Sequence, residues 1–277
     1  LLCKLGLLLL ALSGAAPSRA AEQRVAISPE VSGAWVTPDS AWDGRTVLML
    51  HGFADDMDGA GDLSKRMAER LARIGIASLR INFRGEGDRL RSKIESTLQT
   101  RVADTEAAYA FLNKQQGVQA GRTAVLGWSL GATTAIVVGS QHPEWFRGMV
   151  VWSTPSGEQF APMTATPAAR QALRDGIATD VVPGWKTIIT KREFYESFRG
   201  VDLDQSLAKY PGAFLTIRGS KDFLPQRDAL LLNIAPGKNK EAALIGGADH
   251  VFNVFEPGSE APQRVLDLTA VWLARSL

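Results

Sequence analysis

Between two apolar runs the chain reads Gly127-Trp128-Ser129-Leu130-Gly131, a serine with a glycine two residues to either side. Serine and glycine are common in ordinary turns. The same spacing also fits a turn so sharp that only glycines leave room for neighbouring backbone, with the serine oxygen exposed at its tip. A hydroxyl held in that way is suited to attack an acyl carbon, provided that a base within hydrogen-bonding reach takes its proton.

Three histidines are available as that base. His51, in His51-Gly52-Phe53, ends an apolar run and is expected to shape its loop. His142 precedes Pro143 and reads as a solvated helix end. His250 closes Gly246-Gly247-Ala248-Asp249-His250 and falls to the role of base by elimination, the alternative being a histidine packed in a glycine-rich loop. The imidazole in turn needs a carboxylate to fix its tautomer and stabilise its cation. Asp222, in Arg218-Gly219-Ser220-Lys221-Asp222, is the candidate, although an aspartate there also suits a turn or a helix cap. Asp249 is the weaker choice, because adjacent side chains diverge. A neutral imidazole must accept the serine proton, so activity is expected to fall in acid.

These residues need a scaffold that brings distant loops together. Thr46 to Leu50, Ala77 to Asn82, Thr123 to Leu126, Gly148 to Trp152, Phe214 to Ile217 and Ala242 to Ile245 read as strands. The continuous apolar character of the first suits a strand buried on both faces. Arg24 to Ser28 and Gly33 to Thr37 carry a thinner strand signal. Between the strands lie helical patterns: Leu63, Met67, Leu71 and Ile74; a stretch from about 100 to 115; a helix to about Ser140; and a last helix with Val265, Leu268 and Trp272 on one face. The alternation predicts an α/β fold with a mostly parallel sheet and helices on both faces. Candidate catalytic residues then belong at the carboxyl ends of the strands. About sixty residues separate Trp152 from Phe214, too many for one crossover, so an inserted lid is expected at about 154–212 of a single domain spanning 21–277.

Leu1 to Ala20 pair Lys4 with an apolar run and end in small residues, as a signal peptide cut after Ala20 would. The run is too short to span a bilayer, so export to the periplasm or the medium is expected, with no stable membrane insertion after processing. The sequence opens on Leu1 and not on methionine, so a few residues are expected upstream. Without residues 1–20 the formal charge falls from +2 to zero, which recommends no nucleic-acid partner. The only cysteine, Cys3, lies in the same segment, leaving no disulfide and no thiol nucleophile in the mature chain. Scattered histidines offer no zinc spacing, and Gly85-Glu86-Gly87 has no third glycine opening a helix. No cofactor and no metal are expected.

Taken together, His51-Gly52-Phe53, Asn82-Phe83-Arg84-Gly85-Glu86-Gly87, Gly127-Trp128-Ser129-Leu130-Gly131, Gly219-Ser220-Lys221-Asp222 and Gly247-Ala248-Asp249-His250 resemble the α/β-hydrolases, in the serine esterase and serine aminopeptidase branch that includes feruloyl and other carboxylesterases. The order Ser129, Asp222, His250 is the nucleophile, acid, base order of that fold. The backbone N–H of Leu130, at a helix start, is placed to stabilise a developing oxyanion. The resemblance implies that the Phe53 N–H is the second donor. Trp128 and Glu86 stand where many relatives have histidine. Trp128 and Trp152 are candidate substrate contacts, and Phe194, Tyr195 and Phe198 either line a pocket or pack the lid.

The leading expectation is a serine hydrolase that cleaves small-molecule carboxylic esters through an acyl-enzyme. A peptidase on the same triad and an inactive binding protein of the same fold are the alternatives.

Overall fold

Apolar runs with no polar interruption become the middle of a sheet, because only there are both faces of a strand removed from water. A computed structural model of the chain describes residues 21–38, 42–87, 91–181 and 186–277. The expected signal segment, residues 1–20, lies outside the described residues.

The strands are β1 (Ala21–Ala26), β2 (Ser32–Thr37), β3 (Thr46–Leu50), β4 (Ala77–Asn82), β5 (Arg91–Ile94), β6 (Thr123–Trp128), β7 (Gly148–Trp152), β8 (Ile177–Val181), β9 (Thr187–Lys191), β10 (Ala213–Gly219) and β11 (Lys240–Ile245). The α-helices are α1 (Leu63–Arg73), α2 (Leu98–Leu112), α3 (Leu130–Gln141), α4 (Phe160–Met163), α5 (Pro167–Asp175), α6 (Arg192–Glu196), α7 (Leu203–Leu207), α8 (Asp228–Ile234) and α9 (Ala261–Ser276).

Eight strands form one sheet in the order β1-β2-β4-β3-β6-β7-β10-β11. The pairings from β4 through β11 are parallel, and β2 runs antiparallel to both β1 and β4. Side chains alternate between two cores with the period of the strand. Val47 and Met49 of β3 and Val150 and Trp152 of β7 join the core under α1 and α9. Leu48, Leu50, Met149 and Val151 join the core under α2 and α3. The expected mostly parallel α/β architecture is therefore present.

One sequence reading changes and another is extended. Leu268 is 41% exposed, because the buried arc of α9 centres on Leu266, Thr269 and Leu273 and leaves Leu268 at its edge. His142 ends α3, as expected, and its side chain is partly exposed, but it is also held in place: its ring stacks on Trp145 at 3.7 Å and its Nε2 lies 2.8 Å from Glu106 Oε1.

Between β7 and β10, where a lid was expected, the chain forms α4, α5, the antiparallel pair β8 and β9, α6 and α7. β5, from far earlier in the chain, pairs in parallel with β9 to make a separate three-stranded sheet. Among the described residues no helix is long and apolar enough to cross a membrane.

Candidate active site

Ser129 sits between the last residue of β6 and the first of α3, at φ 54° and ψ −115°. An L-residue rarely adopts that conformation, and holding one there stores on the order of 1–3 kcal/mol. The surroundings enforce it. The Ser129 N–H donates to the Trp152 carbonyl at 2.9 Å, keeping the turn tied to β7. A Cβ on Gly127 would lie 2.3 Å from the Gly131 carbonyl oxygen, and one on Gly131 would lie 2.0 Å from that of Leu50. Both glycines are therefore required by backbone contact, as the sharp-turn reading of the motif demands.

His250 lies in the loop between β11 and α9. Its carbonyl accepts from Ser153 Oγ at 2.9 Å and from Trp128 Nε1 at 3.3 Å. Asp249, the weaker acid candidate, turns away to organise this loop: its Oδ1 accepts the Val251 and Asn253 N–H groups at 3.0 and 2.7 Å. On the face toward β10, His250 Nδ1 donates to Asp222 Oδ1 at 2.8 Å. On the other, Ser129 Oγ donates to His250 Nε2 at 3.0 Å. The three candidate residues thus form one hydrogen-bonded chain.

The Asp222 carboxylate is buried, and burial alone opposes its ionisation. The hydrogen bond to His250, the N–H of Leu224 at 2.9 Å and the charges of His250 and Arg218 outweigh burial and hold it below the usual carboxylate range. Arg218 Nη1 lies 3.1 Å from Asp222 Oδ2, and its Nε 2.8 Å from Asp228 Oδ2. Sequence reasoning missed Arg218. Its signal was an arginine inside an otherwise apolar strand, which needs buried partners.

No protein acceptor faces the N–H of Phe53 or of Leu130 among the described residues. Both residues line space that Ser129 also lines. Two cavities meet at that serine. One, of about 440 Å³, is walled by His250, Trp128, Phe223, Lys221, Asp55 and Asp249. The other, of about 320 Å³, runs under the insert past Pro155, Met163, Ile188, Phe194 and Tyr195. Phe223, 76% exposed and 4.2 Å from the His250 ring, borders both.

The candidate contacts divide. Trp128 reaches the first cavity although only 2% of it is exposed. Trp152 is not a substrate contact: it is fully buried, its Nε1 donates to Thr269 Oγ1 at 3.0 Å, and it packs between Trp128 and Phe252. Unlike Trp128, its in-register neighbour on the same face of the sheet, it lines neither cavity. Phe194 and Tyr195 line the second cavity, whereas Phe198 is wholly in the core. His51 shapes its loop, as expected, accepting the Phe83 N–H at 3.2 Å and donating to the Gly52 carbonyl at 2.8 Å. Burial, with the nearby Arg101 charge, pushes its pKa well down. Glu86 is buried against Arg101. Among the described residues no cluster of histidines, cysteines or carboxylates is arranged to hold a metal ion.

A sheet of this order, with a strained serine at a strand-to-helix turn and Asp222 and His250 on later loops, defines the α/β-hydrolase fold. The profile of one family, described as serine aminopeptidase, S33, matches residues 44–193, and the chain belongs to that family. Two uncharacterised proteins of Mycobacterium tuberculosis are 34% identical over 114 residues, 40% of this chain and 37% of theirs. The chain thus matches little more than a third of the length of those relatives. Est1E from Butyrivibrio proteoclasticus superposes with a TM-score of 0.69 at 14% identity, over 94% of this chain and 99% of its own. The DcsB protein, solved with a substrate analogue, gives 0.70 at 14% identity over the same shares. At such identities the likeness carries the fold.

Proposed function

We propose that the protein hydrolyses small carboxylic esters by acyl transfer through Ser129. The hydrogen-bonded chain from Ser129 through His250 to Asp222 carries this reading. His250 Nε2 takes the serine proton as Oγ attacks the carbonyl carbon, and the ionised Asp222 stabilises the imidazolium that forms. Negative charge gathering on the carbonyl oxygen falls to the N–H groups of Phe53 and Leu130, aided by the positive end of α3. The imidazolium then gives its proton to the departing alcohol, leaving an acyl-serine. A water deprotonated by the same imidazole releases the acid.

The leaving group must depart on the side of the proton donor, so the cavity walled by His250 takes the alcohol. The cavity under the insert, with its mainly apolar wall, takes the acyl group. Est1E, the structural neighbour, has been solved with ferulic acid bound, which agrees with an acyl site in this fold that accepts an aromatic acid.

The family description favours one second reading, cleavage of a peptide bond by the same three residues. A single comparison separates the two. Purified protein is offered p-nitrophenyl esters graded from acetyl to aromatic acyl groups, and amino-acid arylamides beside them. Turnover of the esters alone supports the esterase reading; turnover of the arylamides at matching kcat/KM replaces it. Failure of a fluorophosphonate to label Ser129 in folded protein returns the chain to the class of inactive binding proteins.

The segment Leu1–Ala20 supports a further part of the proposal, export to the periplasm or the medium. Amino-terminal sequencing of the exported protein is expected to begin at Ala21.

A further inference from the structure

Arg101 is completely buried, and its guanidinium is shared among segments that meet behind the catalytic loops. Nη2 donates to the His51 carbonyl at 2.6 Å, just before the peptides that present the Phe53 N–H. Nε donates to Thr134 Oγ1 at 3.3 Å, and that hydroxyl donates to the Leu130 carbonyl at 3.1 Å. Nη1 donates to Glu86 Oε1 at 2.6 Å, and Cζ stands 3.7 Å from the centre of the Phe83 ring. Phe83 closes the circle through its N–H to His51 Nε2.

We propose that Arg101 is a positioning residue that fixes the two oxyanion donors relative to one another. One planar fork grips the loop that carries the Phe53 N–H and, through Thr134, the helical turn that carries the Leu130 N–H. The inference rests on the acyl-transfer reading above.

Stability alone is a poor explanation for this arrangement. An ion pair buried this deeply contributes no more to folding than apolar side chains of the same volume, and often less. Here the pair even leaves Glu86 Oε2 buried with no hydrogen-bond partner among the described residues. What a guanidinium supplies and an apolar side chain cannot is direction: several N–H groups in one rigid plane. Glu86 balances the charge, with Ser96 Oγ donating to the same Oε1 at 2.6 Å. The two gripped segments are already in contact, since α3 starts directly against the carbonyls of Leu50 and His51. Small slips between them would change the spacing of the two donors. A displacement of about 1 Å at such donors can cost roughly a hundredfold in rate.

The test compares wild type with Arg101→Met, Arg101→Lys and Thr134→Val. Rates are expressed per active site titrated with a fluorophosphonate, so that unfolded molecules do not count. In Arg101→Met, kcat on a p-nitrophenyl ester is expected to fall about tenfold to a hundredfold, with KM within about threefold of wild type. Affinity for a phenylboronic acid, which forms a tetrahedral adduct with the serine, is expected to weaken in step with kcat/KM. Arg101→Lys lies between Met and wild type, because an ammonium replaces one contact and not the fork. Thr134→Val, nearly isosteric, removes the hydroxyl that joins Arg101 Nε to the Leu130 carbonyl, leaves the grip on His51, and gives a smaller fall in the same direction. Val265→Ala, a core change on the opposite face of the sheet, lowers Tm without changing kcat per titrated site. Unchanged kcat in both Arg101→Met and Thr134→Val overturns the inference, as does a loss of kcat with boronate affinity intact. If Arg101→Met does not fold, Thr134→Val decides. A wild type that turns over no ester removes the acyl-transfer reading instead.

Discussion

The indole N–H of Trp128 donates to the backbone carbonyl of His250 at 3.3 Å, so the residue just before the serine anchors the residue that faces the serine. Nucleophile and base are thereby tied through backbone as well as through the Oγ to Nε2 hydrogen bond. The indole of Trp152, its neighbour in the sheet, makes no such link and donates instead to Thr269 of α9. The two tryptophans predict opposite phenotypes. Trp128→Phe is expected to lower kcat about threefold to tenfold, from one lost hydrogen bond that positions the base. Trp152→Phe is expected to lower unfolding free energy by about 1–2 kcal/mol with kcat and KM unchanged. Urea unfolding and steady-state kinetics on both variants check the contrast.

The conformation of Ser129 conflicts with stability and can be relieved. Ser129→Ala removes the nucleophile and keeps the unfavourable φ of 54°, whereas Ser129→Gly removes both. Both variants are expected to lose ester turnover by four orders of magnitude or more, roughly the cost of removing a triad serine. Only the glycine variant is expected to be more stable than wild type, by about 1 kcal/mol. Equal unfolding midpoints for the two would show that the turn is not strained.

In acid, the triad keeps its carboxylate ionised to lower pH than an ordinary aspartate would, because hydrogen bonds and nearby positive charge outweigh burial and hold Asp222 below the usual carboxylate range. The acid limb of kcat/KM is therefore expected to follow a single proton, with a slope of about one on logarithmic axes. A slope near two would mean that Asp222 is protonated in the same pH range as that limb.

Arg218 holds two carboxylates in a region that is almost dry, Asp222 on one side and Asp228 on the other. Its remaining terminal nitrogen donates to the Thr154 carbonyl, at the start of the insert. Arg218→Met strands both charges and is expected to destabilise the fold by about 3–5 kcal/mol. The midpoint of chemical unfolding measures this. A loss below 1 kcal/mol would show that water reaches the pair.

Asp55, on the wall of the alcohol cavity, carries a stability penalty that switches on with pH. Burial raises its pKa from 3.8 to about 6, with the charge of Asp56 adding to the effect. The folded protein holds this proton more tightly than the unfolded chain does. Its contribution to stability is thus full below pH 3.8 and lost as pH rises to about 6. Asp55→Asn removes the ionisation. The Tm of the variant minus that of wild type is expected to increase from pH 4 to pH 6.5 and then level off. A difference that is flat across that range contradicts the assignment.

The central strands of the large sheet, β3, β6 and β7, could be read from the chain because each buries a continuous apolar run, and the serine turn because its glycines are forced by backbone contact. The edges were harder. β5 contains Arg91-Ser92-Lys93-Ile94, with no apolar run, and becomes a strand only because β9 is there to receive it. β8 and β9 show the same dependence on a partner. Trp152 was misread because a strand end says where a residue lies along the sheet and not how deep its side chain is covered: Trp128 on the same face reaches the cavity and Trp152 does not. Arg101 and Arg218 escaped because a charge looks solvated in sequence until its buried partners, 15 or 4 to 10 residues away, are seen to converge.

The pairing of β5 with β9 makes the insert less of a detachable module than its position in the chain implies. Leu98 N–H donates to Ser197 Oγ at 3.0 Å, and Gln99 reaches the Ser197 carbonyl, so the stitching continues past the strand into the start of α2. A chimera built by transplanting residues 153–212 alone into another hydrolase would arrive with one side of its sheet missing. Exchange of acyl preference between related enzymes requires two cuts in the gene, with the stretch from Arg91 to Gln99 travelling alongside the insert.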